Sequence, residues 1–420
     1  MEENKHVLII GGGFAGLACA KKLANKSGIR VTLVDKENHH LFQPLLYQVA
    51  TAALAATDIA RSLRQLMSNA ANVTVLMDTI TGIDVEKRQA SSELRVYDYN
   101  YLVLATGAQT SYFGKDEWAE HTLGLKSLDD AFAVRRSVLE ALERAELSED
   151  PKERERLMTI AIVGGGPTGV ELAGAYSDLA RRALKTNYRR LDINKLRVLL
   201  IQSGDRILKP FDPDQSEYTK EQLEKVGVEI ILGHRVTGVE KHTLTFDDAP
   251  AIHAETLIWA AGVGASPLTK MLGVETDRGG RVVTNQDLTI PGHSDIFLAG
   301  DVTAHIDVKG QQVPGLAPAA SQMGKYIGER IVTLVSAPGE HPGVPFIYKD
   351  KGIMAIIGKN TAIVKLGSMK LRGYLAWIAW LFIHLLFLIG FRNKLSVLLQ
   401  WAWAYVKDKP GARVFSSKPS

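Results

Sequence analysis

The sequence predicts an α/β fold of two parallel-sheet units followed by an apolar helical tail. Three observations predict it. A strand, glycine turn, helix, strand pattern occurs twice, with the turns opening at Gly11 and Gly164. Short apolar runs bounded by turn residues recur between and after them, as strands buried on both faces do. From residue 370 onward the character changes: four of the six tryptophans lie there, with eight Lys/Arg against a single acid. At 420 residues, 46% hydrophobic and 23% charged, the chain has room for two to three domains and is neither disordered nor fibrous.

The first unit begins with His6 to Ile10, an apolar run that reads as a buried strand. It enters Gly11-Gly12-Gly13-Phe14-Ala15-Gly16, and Leu17 to Leu23 continues as a helix. Val31 to Val34 is the next strand, with Asp35 and then Lys36 at its end. Each part has a chemical reason. Gly11 makes the tight turn, Gly13 lets the backbone approach a pyrophosphate, and Gly16 lets helix and strand pack closely. The helix N-terminus supplies N–H groups and a dipole for phosphates, and Asp35 can accept from ribose hydroxyls. The unit reads as a dinucleotide site.

The pattern returns 153 residues later. Thr159 to Val163 leads into Gly164-Gly165-Gly166-Pro167-Thr168-Gly169 and a helix from Val170. The following strand, Leu196 to Ile201, ends at Gln202 where an acid is expected. Two such units imply two dinucleotides, most economically a flavin held permanently and a nicotinamide that exchanges. Tyr101 to Leu104 is a further buried strand, leading into Ala105-Thr106-Gly107. Leu257 to Gly262 plays the equivalent part in the second unit, and Asp295 to Ala299 runs into Gly300-Asp301.

Together these motifs resemble the two-dinucleotide flavoproteins of glutathione-reductase-like fold, with two Rossmann-like domains. The resemblance implies FAD on Gly11, Gly13, Phe14, Ala15, Gly16, Asp35, Lys36, Thr106, Gly107 and Asp301, and NADH on Gly164, Gly166, Thr168, Gly169, Gln202 and Gly262. It implies a flavin domain over 1–112 and 285–330, a nicotinamide domain over 113–284, and a C-terminal part, 331–420, of a hairpin and membrane-anchoring helices. Asp301 would match the acid that bonds the flavin ribityl chain. It also reads as the N-cap of a helix from Val302, and both readings can hold. Residues 140–156 read as a solvated helix and turn without a functional role.

The single cysteine, Cys19, excludes a disulfide framework and a redox dithiol. It falls inside the first helix and reads as core. Electrons must therefore leave the flavin for something other than a protein thiol. Phe42-Gln43-Pro44-Leu45-Leu46-Tyr47-Gln48-Val49-Ala50, the stretch from Pro314 to Gly324, and the Trp-rich tail join the glycine turns in a closer likeness. They resemble the type II, single-subunit NADH:quinone oxidoreductases from about residue 5 to about 415. The resemblance implies hydride transfer from NADH to FAD and two-electron reduction of a membrane quinone, ubiquinone or menaquinone, without proton pumping. It implies a quinone site with Gln48, Ala319, Gln322 and Met323, although Pro318 stands where some members carry a second glutamine. Glu171 reads either as a carboxyl that couples cofactor binding to quinone protonation or as an acid stabilised at a helix N-terminus. Because neutral Gln202 does not repel a 2′-phosphate, NADH is the expected main donor, with NADPH tolerated.

In the tail, Tyr374 to Phe391 is an 18-residue apolar run with no formal charge at neutral pH apart from any that His384 carries. Basic residues flank it on both sides (Lys370 and Arg372; Arg392 and Lys394), so a spanning helix has no preferred orientation. From Asn393 to Lys407 the polar residues Asn393, Ser396, Gln400 and Lys407 form one stripe of an otherwise apolar helix. That pattern suits a helix lying in the membrane interface. His384 reads as a packing residue. The N-terminus shows no export signal. The expectation is a peripheral enzyme on the cytoplasmic face of the membrane, forming a homodimer, with no metal and no nucleic-acid partner. Two alternatives stay open here: a flavoenzyme with a small ferredoxin- or rubredoxin-like protein acceptor, and a non-catalytic NADH sensor.

Overall fold

The computed structural model describes residues 4–184, 187–337 and 343–407. Of the expected basic tail, Lys409, Arg413 and Lys418 lie outside the described residues. The chain divides into two compact units. Met1–Leu41, Ala60–Gln109 and Val263–Lys351 form the first, and Phe42–Ile59, Thr110–Gly262 and Gly352–Ser420 the second. These differ from the spans expected above. Residues 263–284 stay with the first unit because Leu268, Leu272 and Val282 complete the core under its sheet. Residues 42–59 leave it because their backbone and side chains bond within the second unit, as described below.

The sheet of the first unit has six strands, in the order Thr289–Ile290, His293–Leu298, Tyr101–Leu104, Lys5–Ile10, Ile29–Asp35 and Val73–Met77. All neighbours are parallel except the outer pair. Val7, Leu8 and Ile9 are fully buried, as a strand covered on both faces requires. The chain leaves Lys5–Ile10 toward one side of the sheet and returns on the other, so a crevice opens at its carboxyl end. The helix Phe14–Leu23 starts there and crosses the helix Ala317–Ser336 very closely. A side chain on Gly324 would overlap the carbonyl oxygen of Ala15, which is why the crossing tolerates only glycine. Cys19 is buried in the same helix, as core.

No helix starts at Val302. The residues after Asp301 make a turn closed by Thr303 N–H to the Gly300 carbonyl at 3.0 Å, and Val282 N–H bonds the Val302 carbonyl. That pairing holds the segment extended, and the helix waits until Ala317, with Leu316 at its N-cap. Asp301 is therefore not a helix cap.

The second unit has a four-stranded parallel sheet, in the order Val228–Leu232, Arg197–Gln202, Thr159–Val163 and Thr256–Trp259. Thr159–Val163 is again flanked by strands reached in opposite directions. A three-stranded antiparallel sheet, Ile353–Gly358, Thr361–Leu366 and Met369–Gly373, packs on the helix Pro167–Asp178. Two helices follow, Tyr374–Phe387 and Phe391–Lys407.

The 18-residue apolar run is broken. The first helix stops at Phe387, where Leu388 turns extended (ψ 135°) and its N–H closes the last turn on the His384 carbonyl; Gly390, at φ 91°, then redirects the chain into the next helix. The remaining 14 helical residues span about 21 Å, short of the roughly 30 Å of a hydrocarbon core. Among the described residues, no helix is long and apolar enough to cross a membrane.

The last helix is amphipathic in an inverted sense. Asn393 is buried and donates to the carbonyls of Thr57 and Asp58 at 2.9 and 2.8 Å. Ser396 and Gln400 donate to the two carboxylate oxygens of Asp58, each at 2.7 Å. The polar stripe thus faces protein. Leu395, Leu398, Leu399, Trp403 and Val406 stand 44–73% exposed, and Phe382 and Leu375 of the preceding helix 65 and 70%.

Candidate nucleotide and acceptor sites

At the first glycine turn, Gly11 has φ 107°, a conformation open to glycine, and a side chain there would overlap the Ala105 carbonyl. A Cβ on Gly16 would overlap the Gly11 carbonyl. Gly13 is different: nothing lies within 4 Å of where its Cβ would be. The helix it opens has no side-chain cap and no acid in its first turn, which leaves N–H groups facing the crevice. Asp35 accepts from Gly12 N–H at 2.5 Å through one oxygen and from Glu37 N–H at 2.7 Å through the other. Burial raises its pKa, partly offset by those two bonds, and each oxygen keeps a further lone pair. Lys36 follows immediately, and Phe14 packs edge-on to buried His40 at 5.0 Å. His40 Nδ1 lies 3.0 Å from the Gly12 carbonyl, and desolvation lowers its pKa to about 4, so the ring is neutral.

A cavity in the same unit is bordered by Ala108, Arg281, Gly300, Asp301, Gly315 and Met323. Thr106 Oγ1 is buried without a partner among the described residues. Gly107 adopts φ 66° beside it. Met323 is buried, its sulfur accepting from Gly300 N–H at 3.3 Å, and Ala319 is buried one turn earlier. Gln322 pairs with the backbone of Lys349, donating to its carbonyl and accepting from its N–H, both at 3.0 Å.

The second glycine turn repeats the first. Gly164 has φ 117°, and a side chain there would overlap Ala260; a Cβ on Gly169 would overlap the Gly164 carbonyl. Gly166 is open, and Pro167 occupies the first helical turn with Thr168, where its missing N–H costs nothing. Gln202 Oε1 accepts from Gly165 N–H at 2.9 Å, the counterpart of the Asp35–Gly12 bond. Its Nε2 and Lys209 Nζ both border Gly204. Gly262 closes the far side of this unit's sheet, its carbonyl accepting from Ser111 N–H at 3.1 Å.

Glu171 lies beyond the first turn of its helix, which contains no acid, so the dipole reading of this residue fails. Its side chain is half-buried, with Ile356 N–H at 3.5 Å as a weak partner. Desolvation pushes its carboxyl up to about 8, opposed only by that bond, so it is protonated at neutral pH. Tyr47 is buried nearby, in the short helix Leu46–Ala50. Burial holds its pKa well above the phenol range, and Glu171, ionised at the alkaline pH where a phenol titrates, adds to that rise. Gln48 donates to Tyr47 Oη at 2.8 Å and accepts from Trp401 Nε1 at 2.8 Å. Trp380 meets Tyr47 edge-on and stacks on His384 at 4.0 Å. His384 Nδ1 is 2.8 Å from the Trp380 carbonyl, and desolvation lowers its pKa to about 4, which makes it a neutral packing group.

The family model for pyridine nucleotide-disulphide oxidoreductases matches residues 5–324. The chain is 40% identical over 96% of its length to a type II NADH:quinone oxidoreductase (Ndh) of Mycobacterium tuberculosis, covering 89% of that protein. It belongs to the type II NADH:quinone oxidoreductases. An internal alternative NAD(P)H-ubiquinone oxidoreductase A1 of Arabidopsis thaliana, mitochondrial, is 30% identical over 98% of the chain and 86% of its own length. The fold matches NDH2 from Plasmodium falciparum in complex with NADH, with TM-score 0.89 and 19% identity over 97% of this chain and 99% of that one.

In this oxidoreductase the structure brings together the first-turn glycines with Asp35, and separately the second-turn glycines with Gln202. It does not gather the four residues expected at the quinone in one unit: Gln48 lies in the second, and Ala319, Gln322 and Met323 lie in the first. Sequence reasoning missed Tyr47, Trp401 and Asp58. Tyr47 stands in the acceptor-side stretch Phe42 to Ala50 and Trp401 among the interface tryptophans, and neither carries a signal that sets it apart from its neighbours. For Asp58, a lone acid inside an apolar stretch was an available signal, since a buried carboxylate needs donors.

Proposed function

We propose that the chain carries out its family's reaction, oxidising NADH and reducing a membrane quinone without pumping protons, with the following assignment of residues. The observation that carries the reading is the duplicated turn, two open glycines each backed by an end-of-strand acceptor bonded to the middle glycine. The first turn fits FAD: the open face at Gly13, the buried unpartnered Thr106 hydroxyl, and the cavity beside Asp301 are suited to pyrophosphate, ring and ribityl groups.

Gly11, Gly13, Phe14, Ala15 and Gly16 would hold the pyrophosphate against the helix N-terminus, and Asp35 with Lys36 the ribose. Asp301, Thr106 and Gly107 would hold the ribityl and ring. When bound, FAD accepts hydride from NADH and passes two electrons to the quinone. Gly164, Gly166, Thr168, Gly169 and Gly262 position NADH, and Gln202 offers its amide N–H to the ribose. A donor there, with Lys209 beside it, tolerates the 2′-phosphate of NADPH. Protonated Glu171 holds a proton for the reduced quinone. Gln48, Ala319 and Met323 border the quinone. Gln322, whose amide is paired with Lys349, acts there by holding that segment and through its remaining lone pair and hydrogen.

The membrane partner is a lipid surface. An exposed apolar face on two helices whose polar stripe is turned inward supports insertion into one leaflet. The cytoplasmic face follows from the position of NADH in the cell, and homodimerisation through part of the same apolar surface is the expected oligomeric state. The test is anaerobic. Stoichiometric NADH should bleach the flavin of the lipid-bound protein, and a short-chain ubiquinone should restore its absorbance. Bleaching without restoration would defeat the quinone assignment and favour a small redox protein as acceptor.

A further inference from the structure

Among the described residues, the Tyr47 hydroxyl hydrogen has no acceptor. Its side chain is 5% exposed, and among the described residues its oxygen has one partner, the Gln48 amide at 2.8 Å. The other end of that amide is 2.8 Å from Trp401 Nε1. An indole nitrogen has a hydrogen and no lone pair, so it can only donate. The Gln48 group facing it must be the carbonyl oxygen, and the NH₂ must face Tyr47. Turning the amide over would oppose two N–H groups at Trp401. The phenol oxygen therefore accepts, and its own hydrogen is free to donate. Glu171 and Asp178 are near enough to act on the phenol electrostatically, yet no hydrogen bond joins Tyr47 to either among the described residues. A buried O–H without an acceptor is costly, and sites keep such a group when a ligand completes it.

We propose that the Tyr47 hydroxyl donates a hydrogen bond to one carbonyl oxygen of the quinone, and that Gln48 and Trp401 are positioning residues that hold it in the donating orientation. This rests on the quinone reading above. As electrons reach the quinone, negative charge gathers on its carbonyl oxygens, and a fixed donor in a dry site stabilises that charge strongly. The C-terminal helix then does more than meet lipid. Its indole sets the amide, and the amide sets the phenol.

The test compares Tyr47→Phe, Trp401→Phe and the double variant with wild type, each purified with lipid and checked for flavin content. Stopped-flow absorbance reads flavin reduction by NADH and re-oxidation by a short-chain ubiquinone, and the ratio of the two rates is the result. In Tyr47→Phe the re-oxidation rate should fall about a hundredfold relative to reduction. Trp401→Phe should fall less, because the freed amide can turn and accept the phenol hydrogen. The double variant should be no slower than Tyr47→Phe. Wild-type re-oxidation in Tyr47→Phe would overturn the proposal, and so would a double variant whose loss is the product of the two single losses. Tyr47→Phe decides alone if Trp401→Phe loses its flavin. A wild type that NADH bleaches and quinone never restores would instead refute the quinone reading beneath it.

Discussion

The two glycine turns share a backbone, and two side-chain differences between them change their chemistry. In both, the first glycine takes a positive φ, the last is pressed against a carbonyl, and the middle N–H is bonded by the residue that ends the next strand. That residue is Asp35 in one and Gln202 in the other. Its structural task needs only an oxygen, which a carboxylate and an amide both have. Its task toward the nucleotide depends on the rest of the group: an acceptor and a charge in Asp35, a donor and no charge in Gln202. The second difference lies on the helix, where Glu171 takes the place that Ala18 has in the first copy. One fold element thus ends on a carboxylate in one copy and, in the other, ends on an amide and adds an ionisable group on its helix.

The largest break should come from the crowded glycine. Gly16→Ala or Gly169→Ala forces a backbone to move and should cost about 3 kcal/mol or more of stability, seen as loss of flavin or of a cooperative thermal transition. Gly13→Ala and Gly166→Ala meet open space, so the apoprotein should keep its Tm while nucleotide binding weakens. Equal damage at both kinds of position would dissolve the distinction.

Glu171→Gln tests the helix difference. The folded state holds this carboxyl protonated up to about pH 8, far above its ordinary range. Folding therefore binds a proton, and stability present at low pH declines as pH rises toward 8. Wild-type Tm should fall by about 3 °C more than that of the variant between pH 5.5 and 8.5, and quinone re-oxidation of the flavin should slow in the variant. A variant whose Tm tracks wild type across that range would mean Glu171 is already ionised.

Gln202→Glu sharpens the comparison at the strand end. The new carboxylate keeps the Gly165 bond and repels a 2′-phosphate, so the NADH over NADPH preference should rise about tenfold, or about 1.4 kcal/mol, in paired kcat/KM measurements. The reverse exchange, Asp35→Asn, should be the mildest. Its amide oxygen can still accept from Gly12, and flavin affinity should drop only a few-fold, read by titrating the apoprotein with FAD.

Both turns, the strands that feed them and the membership of the chain in its family were legible because each rests on local chemistry. A positive φ needs glycine, a buried strand needs an apolar run, and a nucleotide needs a helix end and an acceptor, all within about thirty residues. The tail was legible only as composition. Its polar stripe could have faced water. Tertiary structure turned it inward because Asp58, buried in a segment more than 330 residues away, needs donors that Ser396 and Gln400 supply. The apolar run that was long enough to suggest a span is cut at Leu388, an apolar residue turned extended, which no periodicity reveals.

The residues expected at the quinone show the same limit from the other side. Gln322 was named from its motif, yet its amide is paired with Lys349, a partner set by packing. Gln48 was named too, but which way its amide faces, and so what Tyr47 can do, depends on an indole from the last helix. What the sequence by itself determined is the pair of glycine turns, because their requirements are written in consecutive residues. What only the tertiary structure decided is the orientation of polar groups in the tail and beside Tyr47, because a hydrogen bond is specified by its partner, and these partners come from distant parts of the chain.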